Sequence, residues 1–174
     1  MVKKSIKTEL NRYLKEMDKS ELEKEVKKLY SKFKQVKQFY EVELGDSDAI
    51  LEECKKKITQ EYFPNRGYGR ARNAVSRKVV TDFKKIAVFS VDVIELLLHR
   101  VEMMLKFTNA YGDITEAFYN SLESSFDEAC KLIKKEKLTK DYIERCESLR
   151  DEAYHFGWGT YDMMDQSIDE YLMG

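Results

Sequence analysis

An all-α fold, a single compact domain of about eight amphipathic helices, is predicted by three observations. Apolar residues recur every three or four positions along almost the whole chain, no segment sustains a period of two, and the 174 residues include only seven Gly and one Pro. The first pattern marks helices with one buried stripe, the second removes half-buried strands, and the third leaves few breaks. With 43% apolar residues the chain can build a core without disulfides or a structural metal, and disorder is excluded. No apolar run reaches the ~20 residues of a membrane span. The best, Ile86 to Leu98, is interrupted by Asp92 and Glu95. MVKKSIKTEL begins basic but leads into no apolar stretch, so no secretory signal is read.

The first helix carries Ile6, Leu10, Tyr13, Leu14 and Met17 and stops at Asp18. Asp18 and Glu21 form a capping-box start for the second, with Met17 and Leu22 as its hydrophobic staple. That helix carries Leu22, Val26, Leu29 and Tyr30. A third carries Phe33, Val36, Phe39 and Tyr40 and ends near Gly45, expected as a left-handed C-cap. Asp46 or Ser47 is expected to cap a fourth with Ile50, Leu51, Cys54, Ile58 and Tyr62, which Pro64 ends. A fifth follows with Ala71, Ala74, Val75, Val79, Phe83 and Ile86.

Ser90 is expected to cap the sixth helix. Its Val93, Ile94, Leu97, Leu98, Val101, Met104 and Leu105 cover so much of the circumference that it belongs at the centre. Gly112 closes it, and Asp113 with Glu116 reads as a capped start for Phe118, Leu122, Phe126, Ala129 and Ile133. Thr139 caps the last helix, stapled by Leu138 and Ile143. Its pattern continues in phase through Leu149, Ala153, Phe156, Thr160, Met164, Ile168 and Tyr171; Gly157 and Gly159 mark either a closely packed face of one unbroken helix, which the phase favours, or a break at Gly157-Trp158-Gly159. Short connections favour antiparallel neighbours, as a bundle or a short superhelical array of helix pairs. The domain is 1–174, with residues 1–62 and 70–174 on either side of a turn at 63–69.

Cys54, Cys130 and Cys146 are odd in number, form no CxxC pair, and each lies in an apolar stripe. They read as buried free thiols of a cytoplasmic protein.

Charge is sorted along the chain. Residues 1–40 hold 12 basic and 6 acidic residues, net +6; residues 64–85 hold 7 and 1, also +6; residues 41–63 are net −4 and residues 140–174 net −6. The richest stretch is Pro64-Asn65-Arg66-Gly67-Tyr68-Gly69-Arg70-Ala71-Arg72. Two glycines let the backbone turn and present N–H groups, and guanidinium forks beside a helix start suit a carboxylate or phosphate. Its spacing fits neither a P-loop nor a Rossmann fingerprint, and no strand precedes it. Arg66, Tyr68, Arg70, Arg72 and Arg77 are therefore the candidate anion- or partner-binding set. The structural alternative is a turn whose arginines pair with the acidic C-terminal helix.

Asn109, Tyr111, Asp113 and Glu116 form a second candidate, a polar pocket for acid–base work, against which stands simple helix capping by the two carboxylates. Glu152-Ala-Tyr-His155 has a di-iron-type spacing and His99 lies near Glu95 and Glu102, but the remaining ligands of such a site are missing; no metal or cofactor is assigned. Trp158, between glycines and with Asp162 one turn on, reads either as an exposed recognition aromatic or, the commoner case, as filling the core. No Ser/His/Asp triad or Cys/His pair emerges, and no catalytic residue is assigned.

The stretches KTELNRYLKEMDKSELEKEVKKLYSKFKQVKQFY, YFPNRGYGRAR, FTNAYGDITEAFYNSLES and FGWGTYD resemble a family of small helical bacterial proteins known as a domain of unknown function. The resemblance spans nearly the whole chain and implies a cytosolic, all-helical bacterial protein with no activity to carry over. The expectation is thus a helical interaction or adaptor module that engages an acidic protein or other anionic ligand. Nucleic-acid binding stands second, an enzyme with the Asn109–Glu116 pocket third, and no membrane partner is expected.

Overall fold

Helix α6 (Ser90–Tyr111) runs through the middle of the molecule, because apolar residues occupy nearly every side of it and only burial on every side removes them from water. The computed structural model describes residues 5–45 and 47–173, and among them there are nine helices and no strand. The others are α1 (Ile6–Glu16), α2 (Lys19–Lys32), α3 (Lys34–Leu44), α4 (Ser47–Tyr62), α5 (Asn73–Lys84), α7 (Glu116–Glu136), α8 (Thr139–Glu152) and α9 (Thr160–Tyr171). The all-α expectation holds.

Helices α4, α5, α7 and α8 surround α6, and α9 closes the far side against α7 and α8. Ile94, Leu98, Val101, Met104 and Leu105 of α6 meet Ile58 and Tyr62 of α4 and Phe118, Leu122 and Phe126 of α7 in one fully buried core. Helices α1 to α3 form an arm outside this body. No residue of α1 or α2 is buried, and α3 contributes Val42 alone.

Among the apolar side chains of α6 lies one full charge, Arg100, with no exposed surface. Its Nε donates to Ser76 Oγ of α5 at 3.0 Å, Nη1 to the Ser121 carbonyl of α7 at 2.9 Å and to Ser125 Oγ, and Nη2 to Ser121 Oγ at 2.7 Å. Ser76 in turn bonds the Tyr62 phenol of α4 at 2.8 Å. Four helices thus meet at one guanidinium whose donors end on neutral oxygens.

Several expected boundaries move. The Asp18–Glu21 capping box forms, Glu21 N to Asp18 Oδ1 at 2.8 Å and Asp18 N to Glu21 Oε2 at 3.0 Å. Gly45, however, has φ −115°, not the left-handed value, and Asp46 lies outside the described residues. Ser90 and Thr139 are the first helical residues rather than caps; Phe89 and Leu138 precede them without a side-chain cap bond. Ala71 precedes α5 in a left-handed conformation, φ +46°, and Ile86 follows its end.

The largest departure is at the C-terminus. Trp158 and Gly159 are both left-handed, with φ +66° and +70°, which no right-handed helix tolerates, so the expected long helix is two. The apolar phase survives the break because Ala153 before it and Thr160, Met164 and Ile168 after it are all buried. Periodicity reports which side is buried, not whether the backbone is continuous. Trp158 consequently lies in the turn at 55% exposure and does not fill the core.

Arg100→Ala removes hydrogen bonds to a charge and opens a cavity among three serines, so it is expected to lower stability by about 3 kcal/mol or more. Urea unfolding of the full chain checks this; a midpoint unchanged from the parent would show that the strut is dispensable.

Candidate binding surface

The turn between α4 and α5 is built around Glu61, the penultimate residue of α4. Its carbonyl accepts from the N–H groups of Arg70 at 3.1 Å and Ala71 at 3.3 Å. Its carboxylate accepts from Arg72 N at 3.0 Å, Arg72 Nε at 2.9 Å and Arg72 Nη2 at 2.9 Å. The bidentate fork is the strong geometry for a guanidinium and a carboxylate, and here the carboxylate is nearly buried. Arg72 holds Glu61 below the usual carboxylate range.

Gly69 is required by close approach: a Cβ there would run into the Tyr62 carbonyl, a backbone atom that cannot step aside. Helix α5 then docks on α7 through Asn73 Nδ2, which donates to the Ala117 carbonyl at 3.1 Å.

With Arg72 committed to the fold, the candidate set divides. Arg66 and Arg70 are exposed and form no ion pair among the described residues, the charge of Arg70 reaching Glu61 only at longer range, while in α8 and α9 Asp151 and Asp165 pair with Arg150, Asp165 at 2.7 Å from Nη1. The alternative in which the turn's arginines pair with the C-terminal helix is thus not what the fold does. Tyr68 is 84% exposed, its ring edge-on to Tyr111 at 6.4 Å. Tyr111 continues the ladder inward, 4.6 Å from the Phe107 ring and stacked on Phe63 at 6.4 Å. An aromatic ladder rooted in the core therefore surfaces beside two unpaired guanidinium groups.

Tyr111 came from the other candidate set, and the rest of that set disperses. Asp113 accepts from the Tyr119 phenol at 2.6 Å and lies against Gly157; it does not cap α7, whose N-cap is Thr115. Glu116 is the exposed first residue of α7, and Asn109 is exposed near the end of α6. The Asp-x-x-Glu spacing looked like a capping box, but α7 begins two residues later than that pattern requires.

Arg77 faces a different place. With Arg100, Lys84, Thr81, Ser125 and Glu128 it lines a cavity of about 140 Å³ between α5, α6 and α7. Lys84 pairs with Glu128 at its rim; Arg77 has no carboxylate partner among the described residues. Arg100 and Glu61 were not singled out in the sequence. Arg100 is the one arginine in the most apolar helix, which was the available signal; Glu61 had none, being one acid among many in α4.

The histidines are explained by packing and exposure. His99 Nε2 lies 2.9 Å from Thr59 Oγ1 and 3.1 Å from the Lys55 carbonyl, and burial lowers its pKa. His155 is exposed beside Tyr154. Among the described residues no group of three or more His, Cys, Asp or Glu side chains is placed to hold a metal, and no helix is long and apolar enough to cross a membrane.

A family model, described as "Family of unknown function (DUF6155)", matches residues 5–171. The chain belongs to the DUF6155 family. Comparison with curated proteins and with solved structures gave no match. In this DUF6155 chain the family match includes both the arm and the basic turn.

Glu61 also sets a pH dependence. Its pKa is lowered on folding from an ordinary 4.5, so it contributes stability that is present above that value and lost as pH falls through the folded pKa. Glu61→Gln is expected to lose about 1–3 kcal/mol at neutral pH, shrinking toward zero in acid. Thermal unfolding of both proteins between neutral pH and the carboxylate range checks the convergence.

Proposed function

We propose that this protein is a helical interaction module that binds an acidic protein segment through Arg66, Tyr68, Arg70 and Tyr111. The observation that carries the reading is the pair of exposed guanidinium groups that form no ion pair among the described residues, next in sequence to Tyr68, where the aromatic ladder surfaces. Charge-assisted hydrogen bonds to carboxylates and a rigid aromatic contact are the usual ingredients of such recognition. Held by Glu61 and Gly69, the turn is ordered before a partner arrives, which lowers the entropic cost of binding. Free cysteines, two of them buried, suit work in a reducing bacterial cytoplasm.

A second reading rests on Arg77. The cavity it shares with Arg100 carries three cations against the single Glu128, and its volume of about 140 Å³ suits one small oxyanion. Arg100, shielded from solvent, would act there through its field and Arg77 through contact. Inorganic phosphate is expected to raise the melting temperature of the parent but not of Arg77→Gln; equal shifts in both proteins, or none, dismiss this reading.

For the leading reading, fluorescence anisotropy with a labelled Glu-rich peptide at low salt is expected to show binding that Arg66→Ala/Arg70→Ala weakens about tenfold or more. Absence of binding, or equal binding by the variant, overturns it. A labelled single-stranded oligonucleotide, bound more tightly than the peptide and released steeply by salt, would instead favour a nucleic-acid partner.

A further inference from the structure

The arm holds apolar surface that the rest of the chain does not cover. On α1, Ile6, Leu10, Tyr13 and Leu14 form one stripe with exposures of 83%, 50%, 48% and 38%. The helix has 11 residues, makes no extended contact with any other helix, and is below the ~12–15 residues at which isolated helices become even marginally stable in water. A second unpartnered surface lies further along the arm. Val26 and Tyr30 of α2, Tyr40 and Leu44 of α3 and Ile50 of α4 line a groove of about 700 Å³ with Leu44 79% exposed. The chain thus carries an apolar helix without a seat and an apolar seat without a helix.

We propose that the protein is a two-fold dimer in which α1 of each copy lies in the α2–α3–α4 groove of the other. Charge selects a second copy as the occupant. At 100° per residue, Lys7 lies along one edge of the α1 stripe and Glu9 and Glu16 along the opposite edge. The groove has two charged lining residues on opposite walls, Lys27 of α2 and Glu41 of α3. One orientation of α1 therefore sets Lys7 against Glu41 while Glu16 meets Lys27, Glu9 being paired with Arg12 of its own helix. Glu41 is held only loosely within its own chain, 3.7 Å from Lys37 with both side chains about half exposed, so it is free to exchange partners.

The chain's own α1 does not supply the cover. Only Met17 and Asp18 join α1 to α2, the Asp18 capping box orders that junction, and α1 is not folded back on the groove. Exchange between copies fills both seats, each once, about a single two-fold axis, the closed arrangement expected of a self-complementary surface.

Sedimentation equilibrium of the full chain tests this. The parent is expected to show twice the chain mass, with dissociation on dilution. Leu10→Glu/Leu14→Glu removes the helix stripe and Tyr30→Glu/Leu44→Glu removes the seat; none of the four is a core residue, so helical content is expected to persist. Each double variant is expected to weaken the dimer about 100-fold or more. Mixing the two variants is expected to give a heterodimer weaker than the parent, held by one of the two seats, because the intact α1 of one meets the intact groove of the other. Single-chain mass for the parent at every concentration overturns the proposal. So does a dimer that survives either double variant, or a mixture that associates no more than either variant alone.

Discussion

The body of this protein is organised around a buried positive charge. Desolvating a guanidinium costs several kcal/mol, and among the described residues no carboxylate forms an ion pair with Arg100 to offset it. What remains is hydrogen bonding to Ser76, Ser121 and Ser125, each on a different turn of α5 or α7, with Tyr62 of α4 closing the network through Ser76. Such an arrangement is satisfied only when α4, α5, α6 and α7 are all in register. An apolar core of the same volume would tolerate small slides of one helix past another; this one does not, because any slide strands a charge.

The network also reaches the surface through one peptide unit. Tyr62 points inward to Ser76, while Glu61, its neighbour, collects Arg70, Ala71 and Arg72 from the turn. The carbonyl of Tyr62 excludes any side chain at position 69. The position of Arg66, Tyr68 and Arg70 is therefore inherited from the core, and their surface is pre-shaped although the turn itself is exposed. The aromatic ladder repeats this logic from the other side: Phe107 is packed in the core, Tyr111 rests on it, and Tyr68 meets Tyr111 in solvent.

The arm follows different rules. Its helices have good local signals, including a complete capping box, but almost nothing of the arm enters the core. Local propensity and capping give α1 and α2 their shape, whereas tertiary packing gives α4 to α9 theirs. The contrast divides the molecule into a body held by long-range contacts and an extension whose apolar faces are directed outward.

Much of the body was legible in the sequence because helical periodicity is a direct record of burial. The central place of α6, the stop at Pro64 and the closure of α6 by Gly112 follow from residue type and spacing alone, as does the all-α class. Caps were less legible, since Ser90, Asp113 and Thr139 have the right chemistry one or two positions from where the helices begin. Phase favours one long last helix over the break that the glycines also allow, because Ala153, Thr160 and Met164 keep one apolar phase across a backbone reversal at Trp158 and Gly159. The partners of charged side chains were not legible at all: that Arg72 meets Glu61, that Arg77 shares a cavity with Arg100, and that Tyr68 meets Tyr111 depend on where separate helices are brought together. Sequence by itself determined which face of each segment leaves water, because hydrophobicity is a property of the residue. Only the tertiary structure decided which charges remain unpaired, because pairing is a property of distance.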